Sequence, residues 1–259
     1  MEFFDCHCHT ERSACAEDVS LAMYTHIARR GGPAFAITDH SAHLFYPPGK
    51  AWSFWGDDAR AVFDRHHAAG LTQCAEYVQW LREAQTGNML VGVELDVFED
   101  GTFVFDEDLL GELDIILGAV HGIRALSQDA PMAEVKREFK TRTLHLCELG
   151  VHALVHPFRE FKQKSREVPL SLIEWLVETA ADTGTALELN CHYQVPECDV
   201  PMLRLCAQAQ VPIAIATDTH RAHEFGDFSY HREMLDAAGI EAGTWPQTLM
   251  GPPTGVLAS

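Results

Sequence analysis

The sequence predicts an α/β fold, a distorted (β/α)7 TIM-like barrel with a metal site at the C-terminal ends of its strands. Seven apolar, β-branched-rich runs alternate with helical patterns, as in a parallel sheet covered by helices. Each run closes on a histidine, aspartate or glutamate. Seven such endings suit one shared site at the mouth of a closed barrel, whereas an open sheet gathers ligands mainly at its switch point.

The first run, residues 2–8, leads into Asp5-Cys6-His7-Cys8-His9. Strand residues two apart face the same way, so Asp5, His7 and His9 are expected inside the barrel, with Cys6 and Cys8 toward the helices. His7 and His9 can then chelate one ion, and Asp5 can hold an imidazole in its tautomer from behind. Residues 17–30 place Val19, Ala22, Met23, His26, Ile27 and Arg30 at helical spacing before a stop at Gly31-Gly32.

The second run, 34–39, closes on Thr38-Asp39-His40. Residues 41–58 then carry Phe45, Tyr46, Trp52, Phe54 and Trp55 around Pro47-Pro48-Gly49, an insertion that reads either as a lid or substrate wall or as packing over a helix end. A helical pattern over 57–85 leads to the third run, 89–95. It closes on Gly92-Val93-Glu94, with Asp96 on the same face as Glu94, and a carboxylate there can bridge two cations as imidazole cannot. The segment 98–103, with Asp100-Gly101, reads as a small hairpin.

The fourth run, 113–120, ends at His121, and a helix over 132–149 stops at Gly150. The fifth, 152–156, ends in His156-Pro157, followed by a helix over 170–183 and Gly184. The sixth, 185–190, closes on Leu187-Glu188-Leu189-Asn190, with a helix over 199–210 after it. The seventh, 211–217, runs into Thr217-Asp218-Thr219-His220, repeating the i, i+2 geometry of the first, before a helix over 229–238 and Gly239.

No linker or low-complexity stretch interrupts this alternation, so residues 1–259 are expected to form one barrel domain, for which 47% hydrophobic residues supply an ample core. A formal charge of −19 without any basic run argues against an extended nucleic-acid interface. Eight cysteines in a chain with this much core do not require disulfides. The chain enters its first strand directly, without a secretory leader or a membrane-spanning apolar segment, and a cytoplasmic protein is expected.

Imidazoles and carboxylates in this number point to zinc, manganese or iron. The ordered set Asp-X-His-X-His-Thr, Ile-Thr-Asp-His, Gly-X-Glu, strand-end His, His-Pro, Leu-Glu-X-Asn and Asp-X-His resembles the PHP (polymerase and histidinol phosphatase) family over nearly the whole chain. The resemblance implies a seven-stranded distorted barrel that holds two to three divalent ions and hydrolyses phosphoesters. It implies His7, His9, Glu94 and Asp218 at a first ion, Glu94 bridging to a second held by His121 and His156, and His40 and His220 at a third. Where relatives place a His or Asp for the third ion, this chain has Cys15, with Glu17 as a fallback. A thiolate there favours zinc over manganese.

Arg159 and Arg124 each follow a strand-end histidine by three residues and can offer forked donors to a phosphate, with Arg12, Lys162 and His192 as weaker candidates. The expected reaction is hydrolysis of a small phosphomonoester, of the histidinol phosphate, nucleotide or metabolite type, by a metal-bound hydroxide. Glu94 and Asp218 would organise that nucleophile, and His220 would lie toward the leaving oxygen. No Gly-X-Ser-X-Gly elbow or glycine-rich phosphate loop competes. Two alternatives stay open: a non-catalytic metal-binding scaffold, and an amidohydrolase, which commonly uses a lysine where Glu94 stands.

Overall fold

The computed structural model describes residues 3–253. Its strands are β1 (Asp5–Cys8), β2 (Phe35–Ile37), β3 (Met89–Asp96), β4 (Ile115–Ala119), β5 (Ala153–Val155), β6 (Ala186–Asn190) and β7 (Ile213–Ala216). They pair in sequence order, every pair parallel. A parallel bridge between Cys8 and Thr219, with His9 N donating to Thr219 O at 3.1 Å, brings the last strand back to the first, so the barrel is nearly closed. The helices are α1 (Leu21–Arg29), α2 (Ser41–Phe45), α3 (Ala59–Ala84), α4 (Arg124–Ser127), α5 (Met132–Leu149), α6 (Arg159–Gln163), α7 (Leu170–Thr183), α8 (Pro196–Ala209), α9 (Ser229–Ala238) and α10 (Trp245–Thr248). None is long and apolar enough to cross a membrane among the described residues.

The predicted stops do their work through backbone geometry. Gly150 ends α5 at φ 85, in the left-handed region that a side chain disfavours, and Gly184 and Gly239 end α7 and α9 the same way. The helix expected from 199 begins earlier, because Pro196 fits the first turn, where no N–H is required. The hairpin is smaller than the sequence suggests. Val97 and Phe103 form one antiparallel bridge around Gly101 at φ 86, and no strands extend from it.

Two apolar clusters follow from strand alternation. Leu90, Ile115, Leu117, Ala119, Val155 and Ala216 fill the barrel. Their neighbours Val91, Val93, Leu187, Leu189, Ile213 and Ile215 face the helices. The small residues inside leave room for the polar layer above them, since the next inward positions on β3, β6 and the segment after β7 are Glu94, Glu188 and Asp218.

Strand β1 departs from simple alternation. Its register with β2 shifts between Asp5 and Cys8. Cys6 therefore joins the interior cluster while Cys8 packs toward the helices. Asp5 does not support an imidazole. It accepts from Thr217 N at 2.9 Å and from Thr217 Oγ1 at 2.6 Å, fastening β1 to β7. His7 and His9 keep their place in the polar layer.

Candidate metal centre

Above the barrel interior, His7, His9, His121, Glu94 and Asp218 are each at most 1% exposed, and His40, His156 and His220 are 6% exposed. Glu94 is the hub. Its Oε1 lies 2.7 Å from His156 Nε2 and 3.3 Å from His121 Nε2; its Oε2 lies 3.6 Å from His7 Nε2, 3.8 Å from His9 Nε2 and in contact with His40 Nδ1. Asp218 Oδ1 lies 2.9 Å from His9 Nε2 and 3.6 Å from His7 Nε2. Ligand atoms in the sets His7–His9–Glu94, His7–His156–Asp218, His40–Glu94–His121 and His9–His40–His220 all fall within 4.8 Å of one another.

The outer partners of these rings decide what the inner nitrogens can do. His7 Nδ1 donates to Glu188 Oε1 at 2.8 Å, His121 Nδ1 to Asp96 Oδ1 at 2.7 Å, and His220 Nδ1 to the Asp218 carbonyl at 2.7 Å. Ser13 Oγ donates to Asp39 Oδ1 at 2.6 Å, so it accepts from His9 Nδ1 at 3.1 Å. With the proton held on Nδ1, each neutral ring turns the lone pair of Nε2 inward. Lone pairs then face the carboxylates of Glu94 and Asp218, which repel them unless a cation stands between. His7 Nε2, His121 Nε2, His40 Nδ1 and Glu94 Oε2 are buried without a hydrogen-bond partner. That donor set fits divalent ions.

The electrostatics agree. Burial holds His40 and His121 well below the usual imidazole range, in the neutral form that ligates metal. Burial also opposes charge on His7, yet Asp218, Glu94 and Glu188 together push its pKa up. The Glu94 carboxyl is disfavoured by burial too, but His40, His121 and His7 hold it well below the carboxylate range. The cluster thus demands positive charge.

Backbone geometry points the same way. His156 and Asp218 adopt φ of 28 and 52, unusual for residues with side chains, and the strain is offset where the fold presses both into the cluster. Glu188 helps: one oxygen holds His7 and the other accepts the His156 backbone N–H.

Cys15 Sγ lies within the same 4.8 Å limit of ring nitrogens of His40 and His43, whereas Glu17 is exposed and paired with Arg221. Glu17 therefore does not serve as the fallback. His43 is a residue that sequence reading missed. It stands three positions after His40 on α2, a helical spacing that brings the two rings together at 4.7 Å, and the sequence therefore carried a signal for it. Ala14 N donates to His43 Nδ1 at 3.1 Å, which leaves the proton on Nε2 and makes that nitrogen a donor.

The cationic candidates separate by position. Arg159 is near the cluster, with its guanidinium carbon 4.9 Å from the Tyr193 ring centroid, a bond to Glu160, and its Nε buried without a partner. Arg124 is exposed, with a 3.4 Å contact to Asp57 O, and lines a cavity beside His121 instead of the cluster itself. Arg12 lies over Trp80 at 4.7 Å, and Lys162 donates to the Tyr193 and Gln194 carbonyls. His192 stacks on His220 at 4.6 Å.

The aromatic insertion does both things the sequence allowed. Phe45 and Tyr46 are fully buried, Phe45 stacked on Phe63 at 4.6 Å. Trp55 stands 5.5 Å from the His121 ring, and Trp52, 56% exposed, packs edgewise on His43 at 4.7 Å, so the 3-10 turn Pro48–Trp55 walls the site.

Comparisons with known proteins accord with this arrangement. The family model described as PHP domain matches residues 5–192. The DNA polymerase/3'-5' exonuclease PolX of Bacillus subtilis is 27% identical over 224 residues, covering 86% of this chain and 35% of that protein, so this chain spans about a third of its length. A "Probable phosphatase" of Syntrophotalea carbinolica is 26% identical over 243 residues, 91% of this chain and 88% of the relative. Another, from Tolumonas auensis, is 25% identical over 248 residues, with 92% and 86% covered. Among solved structures, the Lactococcus lactis histidinol phosphate phosphatase complexed with zinc, L-histidinol and phosphate is similar in fold, with a TM-score of 0.57 at 15% identity over 93% of this chain and 95% of that one.

Proposed function

The chain belongs to the PHP domain family, and from that premise we propose that it is a metal-dependent phosphoesterase that hydrolyses a small phosphomonoester. The observation that carries the reading is the convergence of the His7, His9 and His121 Nε2 atoms on the buried carboxylates of Glu94 and Asp218, a donor set that divalent ions fit. The two relatives of comparable length named as phosphatases support it, as does the zinc and phosphate in the similarly folded Lactococcus lactis enzyme.

In this reading His7, His9, Glu94 and Asp218 hold one ion, Glu94 shares a second with His121 and His156, and His40, His220 and Cys15 serve a third. Bound divalent ions supply a nucleophilic water at neutral pH and draw charge off the phosphoryl oxygens. Glu188, Asp96 and Ser13 keep the imidazoles in the ligating tautomer. Arg159, stiffened against Tyr193 and carrying an unpaired N–H, offers a preorganised donor to phosphoryl oxygens as charge develops. His220 sits toward the leaving oxygen, its Nδ1–H held by the Asp218 carbonyl. Glu94 occupies the place where an amidohydrolase reading needs lysine.

The test is phosphate release over a panel of phosphorylated metabolites by protein loaded in turn with zinc, manganese and iron. Release from at least one ester, abolished by chelation and restored by metal, is expected. No release from any ester under any loading would contradict the proposal and favour the scaffold reading.

A further inference from the structure

Between the Pro48–Trp55 turn and the start of α4 lies a cavity of about 540 Å³ whose wall includes both Trp55 and His121. His121 also faces Glu94, so the cavity and the cluster share this one residue as a common wall. Some donors on the wall have no partner. Arg142, on α5, is 3% exposed. Its Nε donates to Val97 O at 2.8 Å and its Nη1 lies 3.8 Å from Glu138 Oε1, but its Nη2 is buried without a partner. Trp55 Nε1 is likewise buried and unpartnered. Arg124 makes one long contact, the 3.4 Å approach to Asp57 O.

The acids on the same wall are engaged or out in solvent. Glu138 accepts from Arg124 N at 2.8 Å and Ala125 N at 2.9 Å, capping α4. Asp100 accepts from Arg60 at 2.6 Å. Glu99 and Asp57 are exposed at the rim. Apart from His121 Nε2, which faces Glu94, the buried groups of this wall that lack partners are N–H donors, Arg142 Nη2 and Trp55 Nε1. Leaving such donors unmet is costly, and an acceptor-rich anion completes them while also countering the guanidinium charge, which a neutral acceptor does not.

Resting on the phosphoesterase reading, we infer that this cavity is a second anion subsite: the substrate is a phosphomonoester whose leaving group carries another oxyanion, a carboxylate or a phosphate, held by Arg142 and Arg124 with Trp55. The cluster would take the phosphoryl group to be removed. The cavity would choose among esters by what the other end presents.

The test is binding to the metal-loaded protein, read by tryptophan fluorescence, of non-hydrolysable probes with matched chains: alkylphosphonates, aminoalkylphosphonates, ω-phosphonocarboxylates and α,ω-bisphosphonates. A second oxyanion should tighten binding at least about tenfold over the alkylphosphonate, in line with a charge-assisted pair. Whichever of the carboxylate and bisphosphonate series binds tighter identifies the oxyanion. The advantage should collapse toward one in Arg142→Met and also in Arg124→Met, where the exposed side chain makes misfolding no explanation, with melting temperature measured beside both. Equal binding of the alkyl or amino probes, no binding of any probe, or an advantage untouched by both variants would overturn the inference. Because the probes are not hydrolysed, an enzyme that releases phosphate yet shows no second-oxyanion advantage fails here alone. Oxyanion-selective binding without release from any ester sinks the phosphoesterase reading instead.

Discussion

Glu188 Oε1 lies 2.8 Å from His7 Nδ1, and the same carboxylate accepts the backbone N–H of His156. One side chain on β6 thereby orients one imidazole on β1 and pins the strained residue that presents another. Glu188→Gln retains the shape but cannot accept at both ends. We predict a 10–100-fold loss of affinity at the cluster, the usual effect of losing such a support, with a fold unchanged by circular dichroism. Competition with a chromophoric chelator measures it, and wild-type affinity would show that His7 and His156 need no such holder.

This support was only half legible. The motif Leu-Glu-X-Asn and strand alternation place Glu188 inside the barrel, but which imidazole it meets depends on how β6 and β1 converge across the barrel. The strand-end ligands were legible because a parallel barrel sends every strand end to one face. Asp5 and Cys6 were misplaced because the irregularity in β1 comes from its pairing with β2, which periodicity cannot register. Asp39 was seen as part of Thr-Asp-His, yet its task of holding Thr10 and Ser13, and through Ser13 the ring of His9, needs the loop to be in place.

Cys15 should matter for zinc in particular. Burial, with Asp218 and Glu94 nearby, pushes its thiol well above the ordinary range, so only a cation at that position makes the thiolate accessible. We expect Cys15→Ser to lower zinc content by about one ion per chain while manganese binding changes little. Equal zinc content in the two proteins by elemental analysis would remove Cys15 from the site.

Arg159→Met should lower kcat on the best phosphoester by about 10²–10³, as for loss of one preorganised donor, with a smaller change in KM. Steady-state kinetics decide it. Unchanged kcat and KM would confine Arg159 to its packing against Tyr193.

On α8, burial pushes the Asp199 carboxyl up to about 7, against hydrogen bonds from Tyr230 Oη at 2.6 Å and Val195 N at 3.0 Å. The folded state holds this proton more tightly than the unfolded chain. Its stabilising effect is therefore full below the ordinary carboxylate range and is lost as pH rises through about 7. Between pH 5 and 8, wild type should lose on the order of 1–3 kcal/mol more stability than Asp199→Asn in denaturant unfolding. Parallel pH profiles for the two proteins would contradict the assignment.

The most direct test of the account is metal content per chain in Glu94→Gln beside wild type, each purified, loaded with zinc and desalted identically. Glu94 meets the rings of His7, His9, His40, His121 and His156, and the substitution removes its charge while keeping its shape. The account predicts at least two ions in wild type and a loss of one or more in the variant, with phosphate release falling in step. Equal metal content in the two proteins, or a wild type that retains no ion, would contradict it.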